Sequence, residues 1–192
     1  MGEKSVKKRN WSFILYPESA PEDWLDILRK TGLAGVVSPL HDRDVNPTGE
    51  PKKAHYHVIL CYPGPTTYNA VKGLTVETLG QTIPDPVESV KGYYRYLTHR
   101  DNPEKAQYDA SDIVTFNGFS IVEDLTRAEI GEIKRTIQGY IMGNDIAEYA
   151  DLMDMLLNAG MNMEYDVASS NTLFFDRYIS SRRHRREGKN NG

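Results

Sequence analysis

His55 and His57 stand two apart in the run AHYHVILCY. Strand side chains alternate between faces, so a strand here aims both imidazoles one way and Tyr56 and Val58 the other. Two imidazoles on one face make a platform for a metal ion, although two surface histidines give the same pattern. His41 and Asp44, the ends of HDRD upstream, add a third imidazole and a carboxylate, with Asp42 as a competitor, and favour the metal reading. Imidazole and carboxylate donors suit a divalent ion acting as a Lewis acid, with manganese, zinc and similar metals all compatible. The single cysteine, Cys61, excludes a thiolate cage and an internal disulfide. A second constellation is YYRYLTH, residues 93–99. A phenol is a poor nucleophile near neutral pH unless a cation or metal assists it, so a reacting tyrosine here needs the metal close by. On a helix, residues two apart diverge by about 200°, so Tyr94 and Tyr96 cannot share a site, whereas Tyr93 and Tyr96 can. In a chain with 12 tyrosines, any one of them is as readily a core aromatic.

The elements that must position these groups are legible in outline. WSFILY at 11–16 predicts a strand, and Pro21 with the acids after it a helix start, closed by Gly32. AGVVSPL at 34–40 predicts a second strand, followed by a polar loop rich in Pro and Gly. Residues 54–62 predict the strongest strand, and Thr66–Leu79 and Val87–His99 predict helices with a loop at 83–86. A helix joins the first two strands, but the next connection is shorter, so the pattern is α+β rather than a regular parallel sheet. Beyond residue 120 the signals are helical. Thr126 and Glu129 have capping-box spacing, Asp145 and Glu148 repeat it, Gly160 should end the second helix, and a third should cover Leu173–Ser180.

The chain has 192 residues and a net charge of −4, unevenly spread. Phe119–Asp176 holds three basic residues against eleven acidic ones, while Arg177–Gly192 holds six basic residues against Glu187. The near-neutral first block can therefore still present a basic face to nucleic acid. Lys52 and Lys53 beside the His-x-His strand, and Lys91 and Arg95 on the tyrosine helix, are candidate phosphate contacts, solvated surface charge being the plain alternative. No stretch is apolar enough for a membrane span, and the charged start MGEKSVKKRN reads as neither signal peptide nor myristoylation site, so a cytoplasmic protein is expected. Ile130, Ile133, Ile137, Leu152, Leu156 and Leu157 recur on helix faces that a unit this small can only partly bury, which predicts self-association. Met153, Met155, Met161 and Met163 read as core or subunit interface rather than a metal box.

The order SPLHDRD, KKAHYHV, YRYLTH resembles the initiator proteins of rolling-circle plasmids, the RepB-type family of streptococcal and lactic-acid-bacterial plasmids within the HUH endonuclease superfamily. FILYPES…PEDW and the Tyr-Asp-x-x-Asp-Ile run at 108–113 are similar too, and the likeness covers about the first two thirds of the chain. The resemblance implies an antiparallel sheet flanked by helices over 1–120 that binds and nicks origin DNA. It implies a small all-α oligomerisation domain over 121–181, in a family that forms hexameric rings; the charge run at 182–192 reads, by composition, as a basic, disordered tail. His41, Asp44, His55 and His57 match the family's metal ligands, Tyr96 its nucleophile, and Tyr94 its non-attacking tyrosine. The implied cofactor is a divalent ion, manganese first, with magnesium or another divalent ion as alternatives. The implied reaction is transesterification, giving a 5′-phosphotyrosyl intermediate and a 3′-hydroxyl primer. The implied partners are origin DNA, duplex for binding and single-stranded for cleavage, further copies of the chain, and host replication proteins in a bacterial cytoplasm.

Two other readings fit the same residues. A non-catalytic origin-binding regulator would bind DNA without a covalent adduct. A metal-dependent hydrolase of small molecules would need neither DNA nor Tyr96.

Overall fold

Val58 and Leu60 alternate with His57 and Ile59 along one strand, and that alternation organises the first half of the molecule. The computed structural model describes residues 6–122 and 125–190. The beginning of the segment read as no signal peptide, residues 1–5, therefore lies outside the described residues, as do 123–124 at the expected domain boundary. The chain divides into two compact units, Met1–Phe119 and Ser120–Gly192.

In the first unit, strands β1 (Lys7–Leu15), β2 (Ala34–Val37), β3 (Tyr56–Thr67), β4 (Asp85–Pro86) and β5 (Val114–Phe116) form one sheet in the order β4-β1-β3-β2-β5, with every neighbouring pair antiparallel. Helix α1 (Trp24–Lys30) packs on one face, where Phe13, Leu15, Leu28, Val37, Val58, Leu60 and Phe116 form a core. Helices α2 (Tyr68–Lys72) and α3 (Val90–Tyr96) complete the α+β arrangement. Thr67 and Ser89 cap them, each hydroxyl accepting a first-turn backbone N–H.

Several elements differ from the sequence expectation. The third strand runs on to Thr67, because Pro63 and Pro65 lie where β1 skips from Asn10↔Cys61 to Lys8↔Thr66, a bulge in which a missing N–H costs no ladder bond. The helix expected over 66–79 is α-helical only to Lys72 and continues as a π-type turn over Gly73–Thr78. Strands β4 and β5 were not expected: two and three residues long, they carry too little pattern of their own and are strands because β1 and β2 supply partners.

Gly35 lies in β2 between β3 and β5. A Cβ there would sit 2.3 Å from Phe116 Cζ and 2.8 Å from the Ile59 carbonyl oxygen. Gly35→Ala is expected to lower stability by about 2–3 kcal/mol through overpacking, read as an earlier urea midpoint at unchanged slope.

The second unit holds α4 (Arg127–Gly143), α5 (Tyr149–Asn158), α6 (Asn162–Ser169) and α7 (Thr172–Asn190). Thr126 and Glu129 form the capping box expected for α4, and Gly160, at φ 63°, follows α5. Asp145 is not a cap. It sits at φ 57°, and α5 starts after Glu148 with no side-chain cap. α6, which the sequence reading lacks, is too polar for a clear stripe, yet Val167 and Ala168 complete a core with Ile137, Ile141, Leu152, Leu156 and Phe175. Met153, Met155 and Met161 pack against it. The tail expected to be disordered from 182 is instead helical through Asn190. Arg182, Arg183 and Arg185 are good helix formers.

Candidate functional site

The hairpin between β2 and β3 carries most of the site. Val37 pairs with Val58, and the next bridge joins His41 to His55. Four steps along one arm thus oppose three along the other, a bulge of one residue at Ser38–Leu40. In regular register His41 would share the face of Val37 and Val58, against α1. The extra residue turns it to the face of His55 and His57 instead. Ser38 pins the bulge: its Oγ accepts from the His57 backbone N–H at 2.9 Å and donates to the Pro39 carbonyl at 2.7 Å. The polar loop then folds back on itself through a Val45–Pro51 bridge, and the Lys52 N–H donates to the Asp44 carbonyl at 2.8 Å, which fixes Asp44 beside the histidines.

His41, Asp44, His55 and His57 are all buried. One nitrogen of His41, His55 and His57 lies within 4.8 Å of the others, and His41, Asp44 and His99 form a second such group. Asp44 Oδ2 is 3.4 Å from His41 Nδ1 and 3.9 Å from His55 Nε2. A carbonyl accepts only, so its partner nitrogen must carry the proton. His41 Nε2 donates to the Leu97 carbonyl, His55 Nδ1 to Lys53 and His99 Nδ1 to Ala106, each at 2.8 Å. The lone pairs then fall on His41 Nδ1, His55 Nε2 and His99 Nε2. His41 Nδ1 and His99 Nε2 are buried without a hydrogen-bond partner, a costly state unless something binds there. Main-chain acceptors fixing the tautomer, with the other nitrogen turned toward Asp44 in His41 and His55, are the support that metal-binding histidines use. These residues fit a divalent cation.

Burial, reinforced by the neighbouring imidazoles, holds His57 down to about 3, against an ordinary 6.5. Burial also lowers His41, against the opposing Leu97 hydrogen bond. For Asp44 burial alone pushes upward, but the hydrogen bond from Tyr108 and the nearby histidines outweigh it, and the net shift is downward. Neutral imidazoles and an ionised carboxylate are the forms that bind metal. Below 6.5 the unfolded chain takes up a proton that folded His57 refuses until about pH 3. Stability of the metal-free protein is therefore expected to fall as pH drops through that window, by about 1.4 kcal/mol per pH unit from this group. Asp44 adds a loss in the same direction at lower pH. Urea titrations in chelator between pH 7 and 4 measure the slope, and a flat profile contradicts it.

Helix α3 faces this cluster with Tyr93 and Tyr96. The Tyr93 hydroxyl lies 3.2 Å from His57 Nδ1, and the half-buried Tyr96 ring stands 5.4 Å from His57 and 5.0 Å from His99, centroid to centroid. Tyr94 is buried on the other side and stacks on Phe119. A cleft of roughly 380 Å³ opens here, lined by Tyr16, Lys52, Lys53, His55, His57 and Tyr96 among others. Lys52 and Lys53 are exposed, Lys53 pairing with Glu18 and lying over the Tyr16 ring. Arg95 is engaged with Asp101, its Nε donating at 2.6 Å. Lys91 is half-buried and does not line the cleft. Asp42 is exposed and lies within ion-pair reach of Arg43.

The chain matches two successive families, the plasmid replication protein origin-binding domain over residues 3–122 and the replication protein RepB C-terminal domain over 132–184. The chain is a RepB-type plasmid replication initiator. It is 41% identical over 177 residues to replication protein RepB of Lactiplantibacillus plantarum, covering 90% of this chain and 80% of that one. A replication protein of Staphylococcus aureus is 36% identical over 187 residues, covering 95% and 93%. An initiator with an origin-binding domain has DNA as its partner, and the cluster and cleft lie inside that domain. Among the described residues no helix is long and apolar enough to cross a membrane.

Two residues at the centre of the initiator's cluster were not singled out as functional from sequence. The Tyr108 ring stacks on His41 at 4.1 Å, and its hydroxyl donates to Asp44 Oδ1 and accepts from the Arg43 N–H, both at 3.0 Å. The fully buried His99 adopts φ 57°, unusual for a residue with a side chain. The only sequence signal for either was its place in a motif, since neither spacing nor periodicity links 99 or 108 to 41.

Proposed function

We infer that this initiator nicks one strand of its origin by tyrosine transesterification. The observation that carries the reading is the buried cluster of histidines around Asp44, with the Tyr96 ring against it in the wall of a cleft that Lys52 and Lys53 also line. His41, Asp44, His55 and His57 would hold the divalent ion, manganese being the first candidate. Bound there, such an ion supplies Lewis-acid polarisation of a phosphate. Lys52 and Lys53 orient the backbone by contacting phosphates next to the scissile one. The Tyr96 oxygen forms the bond to phosphorus and the bond to the 3′-oxygen breaks. The phenol proton goes to solvent, and the departing 3′-oxygen takes one up. The product is a 5′-phosphotyrosyl chain and a 3′-hydroxyl that can prime synthesis, and because the phosphodiester energy is kept, a 3′-hydroxyl can reverse the step.

Self-association is part of the same reading. Leu157 is 60% exposed and Leu173 71%, apolar surface on the second unit that further copies of the chain, a hexameric ring in the form the resemblance implies, would cover. The second unit's acidic stretch makes it a poor second surface for DNA. Incubation with a single-stranded origin oligonucleotide and manganese, resolved on a denaturing gel, tests the nicking reading. A protein–DNA adduct with a free 3′-hydroxyl fragment is expected, and binding without cleavage overturns it.

A further inference from the structure

The segment after α3 is built to hold one lysine. His99 turns the chain at φ 57°, and the Gln107 side-chain amide gathers the loop, its two N–H groups shared among the carbonyls of His99 at 3.2 Å, Asn102 at 3.0 Å and Lys105 at 3.1 Å. Arg43 holds Gln107 in turn, its Nη2 donating to the Gln107 carbonyl at 2.6 Å. The result is that Lys105, nine residues beyond Tyr96, brings its Nζ to 3.2 Å from the Tyr96 oxygen and 4.6 Å from the centre of its ring.

We propose that Lys105 is a catalytic residue, whose ammonium group holds the Tyr96 oxygen and balances the negative charge on it as phosphorus is gained or released. This rests on Tyr96 being the nucleophile. A hydrogen bond from an ammonium strengthens as its acceptor becomes anionic, so the contact favours the attacking phenolate over the resting phenol. In cleavage the Tyr96 oxygen bonds to phosphorus, the bond from phosphorus to the 3′-oxygen breaks, and the phenol proton passes to solvent while the 3′-oxygen gains one. Lys105 keeps its three protons throughout. In rejoining the same ammonium receives the departing Tyr96 oxygen, so one residue serves both directions. A lysine meant only for DNA would gain nothing from being held against a tyrosine ring by an amide that spans three carbonyls.

The test uses the full chain, manganese and a single-stranded origin oligonucleotide in single turnover. Lys105→Met is expected to slow cleavage at saturating DNA by roughly 10- to 100-fold, at or below the low end of the effect of losing a buried oxyanion donor because Lys105 is exposed, with Lys105→Arg recovering part of the rate. Rejoining should slow by the same factor, leaving the ratio of cleaved to joined DNA unchanged, and oligonucleotide affinity should change by less than about twofold. Incorporating 3-fluorotyrosine at position 96, whose oxygen carries negative charge more readily, should shrink the Lys105→Met defect, which a purely structural role would leave as it was. Weaker DNA binding at an unchanged saturated rate overturns the proposal, as does a rate defect that fluorotyrosine does not reduce. An adduct formed by Tyr96→Phe overturns the nucleophile reading and this inference with it. An inert Tyr96→Phe beside a Lys105→Met chain at full rate overturns this inference alone.

Discussion

Tyr96→Phe is expected to keep its fold and its affinity for origin DNA while losing nicking by about 10⁴-fold or more, as removal of an attacking group does. The phenylalanine retains the edge contacts of the ring with His57, His99 and Tyr93. The atom removed is the oxygen that Lys105 reaches, so a fold-level cost should stay within about 0.5 kcal/mol for a half-exposed position. Tyr94→Phe should retain cleavage, since its ring is buried against Phe119 away from the cluster. Adduct formation on a denaturing gel, beside unfolding curves for both variants, decides. A dead Tyr94 variant together with an active Tyr96 variant would reverse the assignment.

His57→Ala is expected to remove bound manganese and cleavage together, and His55→Ala to do the same. Each lone pair is one of few donors in a buried group, and metal affinity should fall by more than about 100-fold, beyond the loss typical of a supporting contact. Asp44→Asn should weaken metal binding strongly and Asp42→Asn hardly at all, because Asp44 is buried within 3.9 Å of three imidazoles, those of His41, His55 and His99, whereas Asp42 is exposed. Manganese titration calorimetry and nicking assays on each variant test the pair of effects. Equal nicking in chelator and in manganese would remove the Lewis-acid role.

Why these residues could be picked out in advance, and others not, comes down to the range over which each signal acts. His55 and His57 announce themselves because a period of two is local, and the strand around them is apolar enough to be recognised without partners. Phase is what the sequence conceals for His41. Counting from Val37 puts it on the wrong face, and only the pairing of Val37 with Val58 and of His41 with His55 reveals the extra residue. Tyr108 and His99 reach the cluster through a loop held by Gln107 and Arg43, contacts between side chains and carbonyls that leave no periodic trace. Strands β4 and β5 are partner-induced. α6 is helical because a core needs Val167 and Ala168, not because its own residues insist. The end of α7 is concealed for the opposite reason: a charge run resembles a disordered tail by composition, yet the arginines that begin it are good helix formers.

The odd residue at Ser38–Leu40 makes chain length itself part of this protein's chemistry. Face alternation has only two values, so smoothing the bulge at unchanged length, with the pairing beyond Val37 slipped by one, would carry an intact imidazole to the opposite side of the sheet, into the space beneath α1. No side chain in the cluster would have been altered, yet the donor set would be one short, and an imidazole would lie in an apolar core without its carbonyl partner at Leu97. Removing one of the three residues between Val37 and His41 would instead leave three steps against three, a regular ladder with His41 still opposite His55 and on the cluster face. Residue count and bulge are thus tied to each other: a chain of this length needs the bulge to keep its third imidazole, and a chain one residue shorter would not.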